Sequence, residues 1–420
     1  MNETYTSCMH QTIRGEARKR VFIFDINGLR GGSAQSLQAL LNHIAPSRWE
    51  VILGFGRRGN RYRWSPYAVY EANMAGYDNY DFAPMTWNIR SAYGLFRWLV
   101  HLPYDFVVSV CWLRRIRPDV VHLNVGQALT MGLAAHVLRL PVLWHVREMV
   151  CDNSSGRFQQ WVYKTCAAKI VAISRAVVAR LPACSQKVAV VPNGVDVASP
   201  ALEDIDTFRK LHGLSASKFT ILLLGGLQIS KGYLFLADVA DRVAGESGII
   251  FVLAGDTKDV PATGLHRLFR WLYRTMRKTP GEKKLIQRRW RKIVEKGEAV
   301  FTGQVQSNIA IAASSIVVCP NLTTEPFGRT VIEAYAQAKP VITANIPAFD
   351  EIVEEGVTGW MLPSKTDLWA AKLLELARNH EKVRVAGEFG LQKVRAFNGQ
   401  AYADRIMSLY SDILHDQSLK

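Results

Sequence analysis

Two hydrophobic rhythms alternate along the chain. Short apolar runs rich in β-branched residues recur at 21–26, 49–55, 119–124, 142–144, 169–174, 188–191, 219–224, 249–255, 300–303 and 315–319. Glycine, proline or polar residues close most of them, so each is read as a buried strand. Between them, residues 34–43, 308–313, 366–379 and 401–414 carry apolar side chains at helical spacing. Strands that alternate with helices predict an α/β chain built on parallel sheets.

Residues 60–117 are harder to assign. They are aromatic and basic, and the apolar stretch 91–113 is interrupted by Arg97, His101, Pro103 and Asp105. It is read as core helices of a first domain. The alternative is one or two amphipathic helices at a membrane surface, ending in Arg114, Arg115 and Arg117.

The glycines mark where chemistry fits. Residues 21–26 run into Asn27-Gly28-Leu29-Arg30-Gly31-Gly32-Ser33 and then a helix. Residues 219–224 run into Gly225-Gly226, followed by Lys231-Gly232 at a helix start. A glycine turn that opens a helix presents backbone N–H groups to an anion, and a lysine there neutralises a diphosphate. Gly54-Phe55-Gly56-Arg57-Arg58-Gly59 matches a dinucleotide fingerprint formally but is rejected, because no helical pattern follows it.

Charge changes the picture. The formal net charge is +16, which implies anionic partners. Segment 264–297 holds twelve Lys/Arg against two Glu. Leu265, Leu268, Phe269, Leu272 and Met276 would share one helical face, opposite Arg267, Arg270, Arg274 and Arg277. An anionic membrane surface suits that pattern. A helix packed on its own domain and a nucleic-acid contact are the alternatives, and nucleic acid is not expected. The six cysteines form no Cys-x-x-Cys, which argues for a reducing compartment and against structural zinc. Residues 1–20 are read as a disordered tail. No apolar run reaches the roughly 18 residues of a membrane span.

The densest chemistry lies at 319–362. A strand ends at Pro320, and the turn Glu325-Pro326-Phe327-Gly328-Arg329 opens a helix carrying Glu333. Two carboxylates on one loop–helix unit can accept hydrogen bonds from sugar hydroxyls. On spacing alone, a capping and a solvated glutamate explain them equally well. Glu325 and Glu333, with seven residues between them, resemble the paired-glutamate signature of the retaining family 4 glycosyltransferases. The chain also carries Val191-Pro192-Asn193-Gly194-Val195-Asp196, Lys231-Gly232, and Glu351 through Gly359 in the family's order. The resemblance spans roughly residues 21–414 and implies the GT-B fold: two Rossmann-like domains, a deep cleft between them, and a last helix crossing back to the first.

The resemblance further implies domains at 21–197 (with helix 397–415) and 218–396, joined by a linker at 198–217, with 264–297 as an insertion. Glu325, Lys231 and His145 would be catalytic. Glu333 would hold the nucleotide ribose. Phe327, Gly328, Arg329, Gly225 and Gly226 would hold the rest of the donor, and Gly31, Gly32, Glu148 and Asn193 would line the acceptor side. Gly226 stands where the family usually has arginine, which removes one cation. The implied activity is transfer of a sugar from a nucleotide sugar to a glycan or lipid-linked acceptor in cell-surface polysaccharide assembly, with no cofactor and no metal. The implied location is cytoplasmic, on the inner face of the membrane. An epimerase or phosphorylase on the same fold, or a non-catalytic binding protein, are the rival readings.

Overall fold

A computed structural model describes residues 18–25, 32–56, 78–82, 92–196, 199–246, 248–255 and 281–418. The first domain runs β1 (Lys19–Asp25), α1 (Gly32–His43), β2 (Trp49–Gly56), β3 (Asp78–Phe82), α2 (Ala92–Ile116), β4 (Val120–Leu123), α3 (Leu129–Val137), β5 (Val142–Val146), α4 (Ser154–Cys166), β6 (Lys169–Ala172), α5 (Arg175–Val178) and β7 (Val188–Val190). The second runs α6 (Leu202–Leu211), β8 (Phe219–Leu224), α7 (Tyr233–Val243), β9 (Ile249–Ala254), α8 (Glu282–Glu295), β10 (Ala299–Gly303), α9 (Ser307–Ala312), β11 (Ile316–Cys319), α10 (Arg329–Ala336), β12 (Val341–Ala344), α11 (Pro347–Asp350), β13 (Gly359–Leu362), α12 (Thr366–Arg378) and α13 (His380–Lys393). The last helix is α14 (Gly399–Ser418).

Each domain holds one parallel sheet. The strand orders are β3-β2-β1-β4-β5-β6-β7 and β10-β9-β8-β11-β12-β13. Period 2 sorts the strand side chains between layers. In β1, Phe22 and Phe24 face the core under α2, α3 and α4, while Val21 and Ile23 face α1 and α14. In the second sheet, Ile221, Leu223 and Phe251 face α7, α8 and α12. The other layer, with Leu222 and Val252, is continuous with the first domain's core. Strand order reverses between β1 and β4 and between β8 and β11, the switch points where open sheets take ligands. The crossing helix is present as expected: α14 lays Tyr402, Ile406, Tyr410 and Ile413 against Leu37, Leu40 and Leu41 of α1.

Several expectations change. β1 begins at Lys19, inside the segment read as a tail. The stretch read as linker folds residues 202–211 into α6, whose Phe208 is buried. Its Asp204 and Asp206 lie exposed on the helix surface. The basic insertion is shorter than its charge run suggests. Residues 282–295 form α8, the crossover between β9 and β10, and bury Ile286, Trp290 and Ile293. The arginines here line a core helix because its outer face is solvated: Arg289 pairs with Asp238 and Asp241 of α7. Arg267, Arg270, Arg274 and Arg277 lie outside the described residues. Segment 91–113 becomes one 25-residue helix containing Pro103. Gly54 and Gly56 lie within β2, and Gly59 lies outside the described residues.

Candidate active site at the second switch point

β8 and β11 are neighbours, so the loops at their C-terminal ends meet. After β8, Gly225 has φ +144°, and no atom lies within 4 Å of where a side chain would start. Gly232 has φ +82°, and a Cβ there would sit 2.0 Å from the carbonyl oxygen of Pro320. Only glycine allows that approach. It brings the residue before it across the switch point. Lys231 Nζ lies 2.6 Å from Glu325 Oε2, which also accepts from Asn321 Nδ2 at 2.9 Å. Both charged side chains keep partial access to solvent.

Gly328 then turns into α10 in the left-handed region, at φ +89°. No side chain caps that helix; Val331 N–H donates back to the Gly328 carbonyl at 2.9 Å, and the N–H groups before it, of Arg329 and Thr330, are placed for a polar ligand. Glu333 lies one turn into α10 and accepts from Arg329 Nε at 2.7 Å. The same guanidinium donates to Ser36 Oγ of α1 at 2.7 Å and to the carbonyl oxygen of Gly194 at 3.4 Å. The Arg329 side chain therefore joins Glu333 to the first domain. Phe327 is buried against Phe397, so only its backbone can face a ligand. Gly226 is unobstructed: a Cβ would meet only Gln228, at 3.8 Å.

Across the cleft, the residues expected on the acceptor side form a different kind of cluster. His145 lies on β5 on the same face as Leu143, toward α14. It is fully buried and stacks on His122, with ring centroids 5.5 Å apart. Burial, then the Arg147 guanidinium, lowers His122 to about 3 and holds His145 well below the usual histidine range. Both rings are therefore neutral. Nδ1 of His122 meets Tyr410 Oη at 2.6 Å, while Nε2 of His145 is buried without a hydrogen-bond partner. His145, expected to be catalytic, is thus a buried ring within this cluster.

Arg147, two residues on, makes most of the connections. It donates to Asn124 Oδ1 at 2.8 Å, to Tyr402 Oη at 2.8 Å and to Asn193 Oδ1. Asn124 donates in turn to Asp25 Oδ2 at 2.6 Å, across the first switch point. Glu148 belongs to another set. Its oxygens lie 3.4 Å from Gly126 N and from Gln159 Nε2, bracing the turn after β4. Gly32 is the first residue of α1, and Gly31 lies outside the described residues.

Sequence reasoning missed Arg147, Ser36, Asn321 and Asn124. No local pattern distinguishes them: Arg147, Ser36 and Asn124 act through partners distant in the chain, and Asn321 acts on Glu325 four residues on in the same loop. It also left Glu351 without a role. This glutamate crosses the domain boundary to accept from the N–H groups of Arg175 and Ala176, at 2.9 and 3.0 Å. Among the described residues, no group of three or more His, Cys, Asp or Glu could hold a metal ion.

Comparison with known proteins gives a concordant picture. The family model for glycosyl transferases group 1 matches residues 218–379, and that for glycosyltransferase family 4 matches residues 30–199. UDP-Gal:alpha-D-GlcNAc-diphosphoundecaprenol alpha-1,3-galactosyltransferase of Escherichia coli is 23% identical over 72% of this chain and 77% of its own. Phosphatidyl-myo-inositol mannosyltransferase of Mycobacterium leprae is 23% identical over 76% of each. The crystal structure of Anabaena HepE in complex with UDP and glucose superposes with a TM-score of 0.72 at 18% identity, covering 94% of this chain and all of that one. Sucrose-phosphate synthase of Thermosynechococcus elongatus superposes with a TM-score of 0.71 at 17% identity, covering 95% of this chain. With two parallel-sheet domains and a family match to each, the chain belongs to the family 4 glycosyltransferases of GT-B fold.

Proposed function

We propose that this enzyme moves a sugar from a nucleotide sugar to a lipid-linked glycan acceptor, retaining the anomeric configuration. The observation that carries this reading is the Lys231–Glu325 pair beside the uncapped start of α10. A sugar diphosphate places its negative charge and its hydroxyls a few ångströms apart. This loop offers a cation, a carboxylate and free backbone N–H groups at that spacing.

Each residue then has a chemical task. Glu333 accepts from the ribose hydroxyls of the nucleotide. Glu325, with the backbone of Phe327, Gly328 and Arg329, orients the donor sugar. Lys231, released from Glu325, meets the diphosphate. Negative charge grows on that leaving group as the glycosidic bond breaks, and a fixed cation there lowers the barrier. With the lysine and a helix N-terminus meeting that charge, the reaction needs no metal. Retention follows from front-face attack by the acceptor within an ion pair; no residue is assigned as a covalent nucleophile.

The acceptor class rests on relatives. The E. coli relative's name specifies a diphosphoundecaprenol acceptor, and the M. leprae relative's a phosphatidyl-inositol. Solved neighbours contain UDP or UDP-glucose. We therefore place the enzyme in cell-surface polysaccharide assembly, peripheral to the cytoplasmic membrane. Among the described residues no helix is long and apolar enough to cross it.

The test is transfer of labelled sugar from UDP- and GDP-sugars into a bacterial lipid extract, by wild type and Glu325→Ala. Label should enter the lipid fraction with wild type and fall by about a hundredfold or more with the variant. Conversion of donor without acceptor would move the assignment to an epimerase.

A further inference from the structure

The layer formed by α2, α3 and α4 covers one face of the first sheet, and its outer surface has an unusual composition. Leu99, Val100, Tyr104 and Val107 of α2, Val137 of α3 and Trp161 of α4 are each more than half exposed. On α2 the exposed positions 100, 104 and 107 are spaced by four and three, so they form one stripe. Pro103 and Cys111 extend it, and both are exposed. This helix also buries Trp98, Leu113 and Ile116 on its other side, so the stripe is not a misplaced core. It is a second apolar surface on a helix that already has one.

Charge says what covers it. The three helices contain one acidic residue, Asp105, and it is buried. Among the described exposed charges on them or just beyond them, Arg114 and Arg115 at the end of α2, Arg117 after it, Arg139 after α3, and Arg157 and Lys164 on α4 are positive, and Asp152 before α4 is the one acid. Arg115 lies over the ring of Trp112, 5.5 Å from its centroid. Apolar residues bordered by cations, with exposed Tyr and Trp among them, match a bilayer whose interior is apolar and whose headgroups are anionic. A protein partner or a second copy of this chain would have to bring several acidic residues to the rim, and among the described residues this chain's own copy of the surface offers only Asp152.

Position agrees. These helices connect parallel strands, so each starts at the strands' C-terminal edge, where the cleft opens, and runs away from it. A bilayer against this layer would lie beside the first domain's side of the cleft.

We propose that the α2–α3–α4 surface docks the enzyme on an anionic phospholipid bilayer, presenting the cleft to acceptors held in that bilayer. The proposal rests on the lipid-linked acceptor reading only for its purpose; the docking is measured separately.

The experiment is flotation of the full chain with vesicles of phosphatidylcholine plus phosphatidylglycerol, or of phosphatidylcholine alone. Two double variants are compared with wild type, Val100→Glu/Val107→Glu and Arg114→Glu/Arg115→Glu, after their melting temperatures show that they fold. Wild type should float with the anionic vesicles and less so at high salt. Losing each arginine should weaken binding by about fivefold, and the glutamate stripe should abolish it. Variants that float like wild type would overturn the proposal. So would a wild type that ignores both vesicles, or one whose stripe variant only breaks a dimer seen by light scattering. If variants lose flotation while wild type labels no lipid, the acceptor reading fails and the docking surface stands. If lipid is labelled and flotation is unchanged in the variants, the reverse holds.

Discussion

The two sides of the cleft solve the same problem in opposite ways. On the second domain, Lys231, Glu325, Arg329 and Glu333 sit on short loops and one helix turn, partly exposed, each paired with a partner it can release. On the first, His122, His145, Asn124 and Asn193 are buried, with Arg147 half-buried among them, in a network tied to α14 through Tyr402 and Tyr410. The second domain's cluster is a set of exchangeable ion pairs. The first domain's is a fixed polar core. A ligand can replace Glu325 as the partner of Lys231, whereas replacing Tyr402 as the partner of Arg147 would loosen the helix that ties the two domains together.

That contrast can be broken by substitution. Lys231→Ala should have the largest effect, lowering kcat by about 10²–10³ with little change in melting temperature, because it removes charge stabilisation and no core contact. A stability loss in place of a rate loss would make the pair structural. Arg147→Met should do the opposite. It leaves Asn193 and Tyr402 without their donor and should cost about 2–4 kcal/mol in unfolding free energy. Chemical denaturation reads that directly, and an unchanged midpoint would remove Arg147 from the core.

The histidines sharpen it further. Both are neutral in the folded protein and take up protons on unfolding, since their folded-state pKa is lowered. Stability from this source is therefore complete above the unfolded value of 6.5 and falls as pH drops from there toward about 3, where His122 itself titrates. The slope from His122 is about 1.4 kcal/mol per pH unit across that window, and His145 acts in the same direction. His122→Gln should flatten the acid limb of a melting-temperature profile while leaving donor binding unchanged. The smallest effect is a gain. Gly226→Arg restores a cation where nothing obstructs it and should tighten nucleoside diphosphate binding by about threefold to tenfold.

The same contrast explains what the sequence disclosed. Most strands were legible because each is a local run bounded by turn residues, and the second domain's first strand was read at its observed ends. Glu325, Glu333 and Lys231 were singled out by the family resemblance, and the turns at Gly232 and Gly328 show how the fold brings their loops together. Lys231 and Glu325 lie 94 positions apart, yet each sits directly after a strand, so sheet order alone joins them. The histidine cluster had no such marker. Arg147 meets Tyr402 across 255 positions, through a helix that returns from the other domain. His145 is buried because of that return, so its local motif could not reveal it. Helix α2 was obscured for a related reason: its apolar stripe and its core face together erase the amphipathic period.

The central claim is that the loop after β11 and helix α10 form a nucleotide-sugar site. The most direct measurement is the melting temperature of wild type and Glu333→Ala with UDP, GDP and ADP. At a hundred times its Kd, one nucleoside diphosphate should stabilise wild type by about 2.7 kcal/mol. The shift should shrink or vanish in Glu333→Ala. No shift with any of the three, or a shift that Glu333→Ala leaves intact, would contradict the site.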